Sequence, residues 1–215
     1  MQLYTYFRSS AAYRVRIAMN LKGLPYAPEF IHLAKGKHND AAYAAVNPAK
    51  LVPALIDDGH LLTQSLAIIE YLDETHPAVP MLPQTPLERA RVRALSLLIA
   101  CEIHPVNNLR VLKYLSRTIK VTEDQKNAWY RHWVEDGLAK FEAMLAEGGS
   151  NSQTGKFCHG DTPGMADCCL VPQVANGKRF SCNFDHVPTV MRIWDECNKL
   201  DAFQQAASQN QPDAE

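Results

Sequence analysis

The length, composition and charge of the chain restrict its class before any motif is considered. Its 215 residues predict one or two domains with a sizeable core, and 47% hydrophobic with 21% charged residues is typical of a soluble globular protein. The formal net charge of −1 gives no global reason to expect a nucleic acid or an anionic membrane as partner. No apolar run approaches the roughly 20 residues that span a bilayer, and Met1 leads directly into a strand pattern rather than a signal sequence. We therefore expect a cytoplasmic protein with no membrane partner.

The cysteines predict reduced thiols rather than disulfides or a metal site. None of them forms a Cys-x-x-Cys motif, and the adjacent pair Cys168-Cys169 would bridge only with strain. No zinc spacing occurs among them and the eight histidines. A reducing compartment with several buried thiols is the better interpretation, and we expect no bound metal. The six positions are Cys101, Cys158, Cys168, Cys169, Cys182 and Cys197.

The first elements of the chain carry its most informative pattern. Residues 2–7 predict a short strand, which runs into Arg8-Ser9-Ser10 and then a helix over 11–22. A strand that delivers two hydroxyls to a helix N-terminus creates a place where an anion, such as a thiolate, is stabilised. On local sequence alone, a simple helix cap explains the two serines equally well.

The rest of the first half predicts a small mixed domain. A second strand fits 27–33, and a short helix ends near Asn47-Pro48. Two short strands flank Asp57-Asp58-Gly59, a hairpin signal. A helix then opens at Gln64-Ser65, with Ser65 as its cap, and runs to about His76. The predicted order is βαβαββα.

The second half is predicted to be all helical. Four prolines between His76 and Leu87 indicate a linker, which gives a first domain at 1–78, a linker at 79–87 and a second domain at 88–215. A further helix begins near Gly164, with Asp167 able to reach back to it, and the polar tail from Gln204 is expected to fray. Apolar residues at helical spacing predict two long bundle helices, with faces Val92, Leu95, Ile99, Ile103 and Val134, Leu138, Phe141, Leu145.

An N-terminal signature and four further motifs together resemble the zeta class of the glutathione transferases. The class signature is Ser-Ser-Cys, two variable residues and Arg-Val-Arg-Ile-Ala; here residues 9–18 read SSAAYRVRIA, so Ala11 replaces the cysteine. Within the class the chain looks closest to the bacterial maleylpyruvate isomerases of gentisate breakdown, and maleylacetoacetate isomerases are also similar. The resemblance implies an α/β plus all-α fold, with a thioredoxin-like domain followed by a helical bundle. The other matching motifs are Asn47-Pro48, Val52-Pro53, residues 64–72 (QSLAIIEYL) and residues 170–176 (LVPQVAN).

The resemblance also implies a glutathione site. Ser9 would face the glutathione sulfur with support from Ser10, beside Ala11, while Val52 would offer its backbone to the cysteinyl part, next to a cis Pro53. The remaining glutathione contacts would come from both domains. Gln64 and Ser65 would hold the γ-glutamyl carboxylate, His38 the glycyl end, and the helical domain would contribute His104, Asn108, Leu109 and Arg110.

Arg8 and Arg110 are the substrate-binding residues that the resemblance implies. A dicarboxylate needs a fixed cation at each end, and guanidinium groups match carboxylates in bidentate pairs. Asn176 and Arg179 would line the back of the substrate site. Trp129 and Trp133 are interpreted as core or interface residues, because nothing in their spacing points to a ligand.

The implied activity is glutathione-dependent cis–trans isomerisation of maleylpyruvate to fumarylpyruvate, carried out by a homodimer with glutathione as its cofactor. Three alternatives stay open. The substrate could be maleylacetoacetate of tyrosine breakdown, because both substrates present carboxylates at similar spacing. The chain could be a general zeta-class transferase, which uses the same thiolate. A noncatalytic interaction module fits less well, because a scaffold would not require Ser9, Val52-Pro53 and Gln64-Ser65.

Overall fold

The computed structural model describes residues 1–149 and 152–215, and these divide into two compact units. The first unit contains Met1–Leu82 together with Asn198–Glu215, and the second contains Pro83–Cys197. The boundary between Leu82 and Pro83 lies inside the proline-rich segment of the sequence. No helix among the described residues combines the length and the apolar character that crossing a membrane requires.

The first unit is built on one mixed sheet of four strands in the order β2-β1-β3-β4. β1 and β2 are parallel, whereas β3 is antiparallel to both β1 and β4. Parallel strands need a crossover, and the helix between β1 and β2 supplies it. This is the predicted thioredoxin-like arrangement. The strands are β1 Gln2–Thr5, β2 Ala27–Phe30, β3 Ala54–Asp57 and β4 His60–Thr63.

Three helices accompany this sheet. They are α1 Ser10–Leu21, α2 Ala41–Val46 and α3 Ser65–Thr75. α1 packs on α3, and α3 in turn contacts β4 of the sheet. α1 is buried along most of its length, including the arginines Arg14 and Arg16. An arginine is almost never fully buried unless it is paired, so both must find partners inside the unit.

Three predicted boundaries in this unit are wrong, and the first is the end of β2, which is predicted at residue 33 and lies at Phe30. β1 ends at Thr5 rather than at residue 7, because the Ser9 N–H donates to the Tyr6 carbonyl at 2.9 Å and closes a turn. Ser65 is the first residue of α3 and not its cap. Gln64 occupies the capping position with a positive φ of 68°, and its side chain makes no capping bond.

The second unit is helical. Both predicted apolar faces are buried, and α6 approaches the end of α4 closely: a Cβ added at Gly137 would lie 2.4 Å from Ile103 Cγ1. α4 and α5 each continue into a π-helical turn, over Leu98–Ile103 and Leu115–Ile119 respectively. The helices are α4 Pro86–Leu97, α5 Leu109–Tyr114, α6 Glu123–Ala146, α7 Met165–Arg179 and α8 Pro188–Cys197.

The tail returns to the first unit instead of fraying. α9 Asp201–Ala206 packs on α1, and Phe203 is fully buried. Side chains of α1 donate to tail carbonyls, with Asn20 bonded to Ala202 at 3.0 Å. The second unit therefore ends earlier than the predicted second domain of 88–215, because residues 198–215 belong with the thioredoxin-like unit. The tail is polar in sequence, but its backbone carbonyls supply acceptors for buried donors.

Candidate active site

The start of α1 is organised by a turn and a serine cap. Tyr6 and Ser9 are bonded across the turn, so Phe7 and Arg8 are its two central residues. Ser9 caps α1: its Oγ accepts the Ala12 N–H at 3.2 Å, while its carbonyl accepts the Tyr13 N–H at 2.8 Å. A serine hydroxyl is also a donor, so its hydrogen stays available for an anion. The first-turn N–H groups and the helix dipole favour an anion at the same point.

The other predicted residues here have different environments. Ser10 is buried and Ala11 is half-buried, both in the first turn of α1. Arg8 is exposed, and its guanidinium lies 4.9 Å from the centre of the Phe7 ring. Arg8 therefore presents an exposed guanidinium from the turn that leads into Ser9, and its role in substrate binding stays a prediction.

Val52 and Pro53 lie close to this turn. Val52 is buried in one apolar cluster with Tyr6, Phe7 and Tyr43, and the Val52–Pro53 peptide bond is cis. The cluster joins the segment before β3 to the two residues that precede Arg8. The structure therefore brings together three of the predicted glutathione-binding positions: the start of α1, Val52 and Pro53.

The start of α3 has a positive charge that the sequence analysis missed. Arg14 is 2% exposed, and its Nη1 donates to Ser65 Oγ at 3.2 Å. Gln64 is exposed and leaves the first turn of α3 without a side-chain cap. Buried guanidinium and open N–H groups at one helix start favour a carboxylate there. The sequence does contain a signal that Arg14 is buried, because it lies between Tyr13 and Val15 in a helix whose other residues are mostly apolar.

His38 lies in a short 3₁₀ turn, Lys37–Asn39, ahead of α2. It is half-buried, and its Nε2 is 3.3 Å from Asn39 Nδ2. Its assignment to the glycyl end of glutathione stays a prediction. A cavity of about 660 Å³ elsewhere in the first unit is lined by Tyr4, Tyr43 and other side chains, none of which belongs to the predicted site.

Four predicted residues gather at the start of α5 in the second unit. Asn108 caps this helix, because its Oδ1 accepts the Arg110 N–H at 3.1 Å. Its Nδ2 lies 3.5 Å from His104 Nε2. Leu109 and Arg110 are both exposed. Arg8 lies in the first unit and Arg110 in the second, so their action on one substrate stays a prediction.

Asn176 and Arg179 lie in the last turns of α7. Asn176 is half-buried and Arg179 is exposed, with its guanidinium 5.2 Å from the centre of the Phe180 ring. Phe180 in turn stacks on Tyr130 at 3.7 Å, and burial raises the pKa of Tyr130 to about 12 although Arg179 opposes the shift. Their role in substrate binding stays a prediction.

Trp129 and Trp133 pack edge to face on α6 with ring centres 5.7 Å apart. Trp129 Nε1 donates to the Val106 carbonyl at 3.0 Å. These contacts fit the packing role that their sequence context indicates, and Trp129 ties α6 to the segment before α5.

The start of α7 is tied to the segment before it by a buried carboxylate in the first turn of the helix. Asp167, 1% exposed, accepts the Gly164 N–H with Oδ2 and the Cys158 N–H with Oδ1, both at 2.9 Å. Burial raises the pKa of Asp167, and these two backbone bonds oppose the rise. Burial likewise raises the pKa of the Cys158 thiol, so it stays protonated. The carboxylate is an internal part of the fold.

Comparison with known proteins identifies the family. Residues 3–80 match the "Glutathione S-transferase, N-terminal domain" family. The chain is 47% identical to a probable maleylacetoacetate isomerase of Vibrio cholerae over 99% of this chain and 97% of that protein.

Two solved structures are similar over their whole length. A holo structure of a maleylpyruvate isomerase, described as a bacterial zeta-class glutathione S-transferase, is 43% identical with a TM-score of 0.96, and covers 100% of both chains. A maleylacetoacetate isomerase of Methylobacterium extorquens with bound malonate and glutathione is 39% identical with a TM-score of 0.95, also over 100% of both chains. This chain therefore belongs to the maleylpyruvate and maleylacetoacetate isomerase family, within the zeta class of the glutathione transferases.

Proposed function

We propose that the chain uses glutathione as a cofactor and holds its thiol at the start of α1. The residues there fit the group, because Ser9 Oγ already accepts the Ala12 N–H and has its own hydrogen left to donate to sulfur. The dipole of α1 and the first-turn N–H groups stabilise the same negative charge. A free thiol has a pKa of about 8.5, so stabilising the anion increases the thiolate fraction at neutral pH. Ser10 and Ala11 complete this end of the proposed site.

The start of α3 is the proposed site for the γ-glutamyl carboxylate. Gln64 leaves the N-terminus of α3 open, and the buried Arg14 guanidinium contacts Ser65, which places positive charge close to it. We propose that the backbone of Val52, beside Pro53, binds the cysteinyl part and that His38 binds the glycyl end. His104, Asn108, Leu109 and Arg110 supply the proposed contacts from the second unit.

The proposed reaction is the cis–trans isomerisation of maleylpyruvate to fumarylpyruvate, as in gentisate breakdown. When bound, glutathione supplies a thiolate that adds reversibly to the cis double bond and so permits rotation about it. Arg8 and Arg110 bind the two carboxylates and orient the substrate, and their charge stabilises the negative charge that develops on it. Asn176 and Arg179 complete the proposed substrate site.

One observation carries this proposal: an exposed Arg8 and a capping Ser9 stand together at the open N-terminus of α1. The Methylobacterium relative supports the ligand classes, because it binds glutathione together with malonate, a dicarboxylate. We also propose a homodimer, which a sedimenting species of 24.1 kDa at micromolar concentration would contradict. The six free thiols fit the reducing cytoplasm as the compartment.

Maleylacetoacetate is the second candidate substrate, because the Vibrio and Methylobacterium relatives are named for it. A general transferase would conjugate glutathione to other electrophiles with the same Ser9. A noncatalytic module would need neither this cap nor the open start of α3. Retention on immobilised glutathione separates this last possibility from the enzymes.

The deciding experiment measures turnover of maleylpyruvate and of maleylacetoacetate separately, by the loss of their enol absorbance with and without glutathione. We expect glutathione-dependent turnover with the larger kcat/KM for maleylpyruvate. A larger kcat/KM for maleylacetoacetate would reassign the substrate. Conjugation of a model electrophile without isomerisation of either diketo acid would replace the isomerase by a general transferase.

A further inference from the structure

The turn that carries Arg8 is held from two sides by groups distant in sequence. Its inner side faces Arg16, which is fully buried on α1. The guanidinium donates to the Tyr6 carbonyl and to the Phe7 carbonyl, each at 3.3 Å. It also donates to Thr5 Oγ1 at 2.9 Å, so every residue from the end of β1 to Phe7 is tied to one side chain.

Arg16 links the same turn to the tail. Its Nε donates to the Ala206 carbonyl at 3.0 Å, while Tyr13 Oη donates to the Phe203 carbonyl at 3.3 Å. Burial lowers the pKa of Arg16 to about 10, and Tyr26, Tyr13 and Asp213 oppose the shift, so the group stays charged at neutral pH. The tail and the turn therefore share one buried cation.

The other side of the turn is held by Asp213. Its Oδ2 accepts the Phe7 N–H at 3.0 Å across 206 residues of sequence. The second residue of such a turn has an N–H that the turn itself does not use, so an acceptor must come from elsewhere. A carboxylate makes a stronger bond to this N–H than a neutral acceptor would. The other oxygen, Oδ1, is buried and has no hydrogen-bond partner among the described residues.

We propose that Asp213 is a positioning residue for the thiol site: by holding the Phe7 N–H, its carboxylate fixes the turn and thereby sets where Arg8 and Ser9 lie. The inference rests on the proposed function, because it assigns Ser9 to the glutathione sulfur. Asp213 is assigned no contact with a reacting atom: its carboxylate holds the Phe7 N–H and lies near the buried charge of Arg16, which holds the other side of the same turn. Ser9 can donate to sulfur only if its Oγ is correctly placed, and Ser9 is the residue that closes this turn.

The test is the Asp213→Ala variant, with the ionisation of bound glutathione followed by the ultraviolet absorbance of its thiolate across pH. We expect the ionisation midpoint to move to higher pH by about half to one unit, with a 3- to 10-fold loss of kcat/KM at neutral pH. Asp213→Asn keeps an oxygen acceptor for the Phe7 N–H. Its midpoint shift and its loss of kcat/KM should each be less than half of those in the alanine variant. In the ligand-free protein, hydrogen exchange at the Phe7 amide should be faster in the alanine variant.

Glu215→Gln is the matched control. Glu215 also anchors the tail, but it pairs with Lys35 and with His32, whose ring packs on that of Tyr6, and it makes none of the hydrogen bonds described above that hold the turn. In this variant we expect bound glutathione to ionise with the same midpoint pH as in the wild-type protein. An unchanged midpoint in Asp213→Ala, an equal shift in Glu215→Gln, or an asparagine variant that titrates like the alanine variant would each overturn the inference. A wild-type protein that fails to ionise glutathione would instead overturn the proposed function.

Discussion

The starts of α1 and α7 differ in the side chain that organises them: a cap that accepts a first-turn N–H at α1, and a first-turn carboxylate that accepts N–H groups ahead of the helix at α7. At α1 the cap is the neutral hydroxyl of Ser9, half-buried, which takes one N–H and leaves the positive end of the helix exposed to a ligand. At α7 the buried carboxylate of Asp167 takes the Gly164 and Cys158 N–H groups. A charged internal partner neutralises the helix end, whereas a neutral one leaves the helix dipole to act on a ligand. The helix start is thus closed by an internal carboxylate in one unit, and in the other it is left open where we propose that the thiol binds.

Removing the internal carboxylate should have the largest effect. Asp167→Ala leaves the buried Cys158 N–H and the half-buried Gly164 N–H without their acceptor, at about 1–3 kcal/mol each, so the free energy of unfolding should fall by about 2–5 kcal/mol in urea titrations. Asp161→Ala is the control, because Asp161 accepts the Lys156 N–H at 2.8 Å in an exposed loop. It should cost less than about 1 kcal/mol. Equal losses of unfolding free energy in the two variants would show that the buried Asp167 carboxylate stabilises the fold no more than the exposed Asp161 carboxylate does.

Removing the neutral cap should affect activity more than stability. Ser9→Ala should lower kcat/KM about 100- to 1000-fold, the range typical of losing one donor to a developing anion, and move the pH–rate profile to higher pH. Its cost in stability should be about 1 kcal/mol. Ser9→Asp separates the two roles, because aspartate caps a helix well but repels a thiolate. An active Ser9→Asp variant would mean that Ser9 serves only as a helix cap.

Substitution of Arg8 and Arg110 tests whether the proposed thiol site at the start of α1 depends on cations that bind the substrate carboxylates. Arg8→Ala and Arg110→Ala should each raise the KM for the dicarboxylate and lower kcat/KM about 10- to 100-fold, with a much smaller change in glutathione affinity. Arg117→Ala is the control, because Arg117 is also exposed and follows α5. Variants that lose glutathione binding but turn substrate over normally at saturating glutathione would rule out a dicarboxylate clamp.

A serine placed at the other helix start should have the smallest effect. Gly164 caps α7 in an extended conformation, with φ at −136°, which any residue adopts. Gly164→Ser adds a hydroxyl acceptor of the kind seen at Ser9, so differential scanning calorimetry should show a small rise in Tm, equivalent to a few tenths of a kcal/mol. A fall in Tm would indicate that the added hydroxyl disturbs the bond between the N–H at position 164 and the Asp167 carboxylate.

Sequence patterns predicted the order of elements well, because strand and helix periods and the Asp57-Asp58-Gly59 turn are local signals. The buried faces of α4 and α6 followed from apolar spacing alone. Local sequence also offered the two serines as a cap of α1, and the structure shows that Ser9 is the capping residue. Local patterns failed at Ser65, because the positive φ of Gln64 shifts the start of α3 by one residue.

Long-range polar contacts could not be predicted in the same way. Arg14 and Arg16 are buried by partners 51 and 190 residues away, Ser65 and Ala206. The acceptor on Ala206 is a backbone carbonyl, which every residue has, so the pattern of side chains in the sequence does not indicate it. The tail from Gln204 has few apolar residues and so predicts fraying, yet these carbonyls and Asp213 dock it. The roles of these groups depend on tertiary structure.

The first unit is built from two segments that lie far apart in the sequence, and this affects the order in which the units are completed during protein synthesis. Residues 198–215 are made after the whole of the second unit, and until they emerge Arg16 lacks its Ala206 acceptor and the Phe7 N–H lacks Asp213. Domains generally fold as they leave the ribosome, in order from the N-terminus. Here the helical unit is complete first, and the unit that begins the chain is completed last.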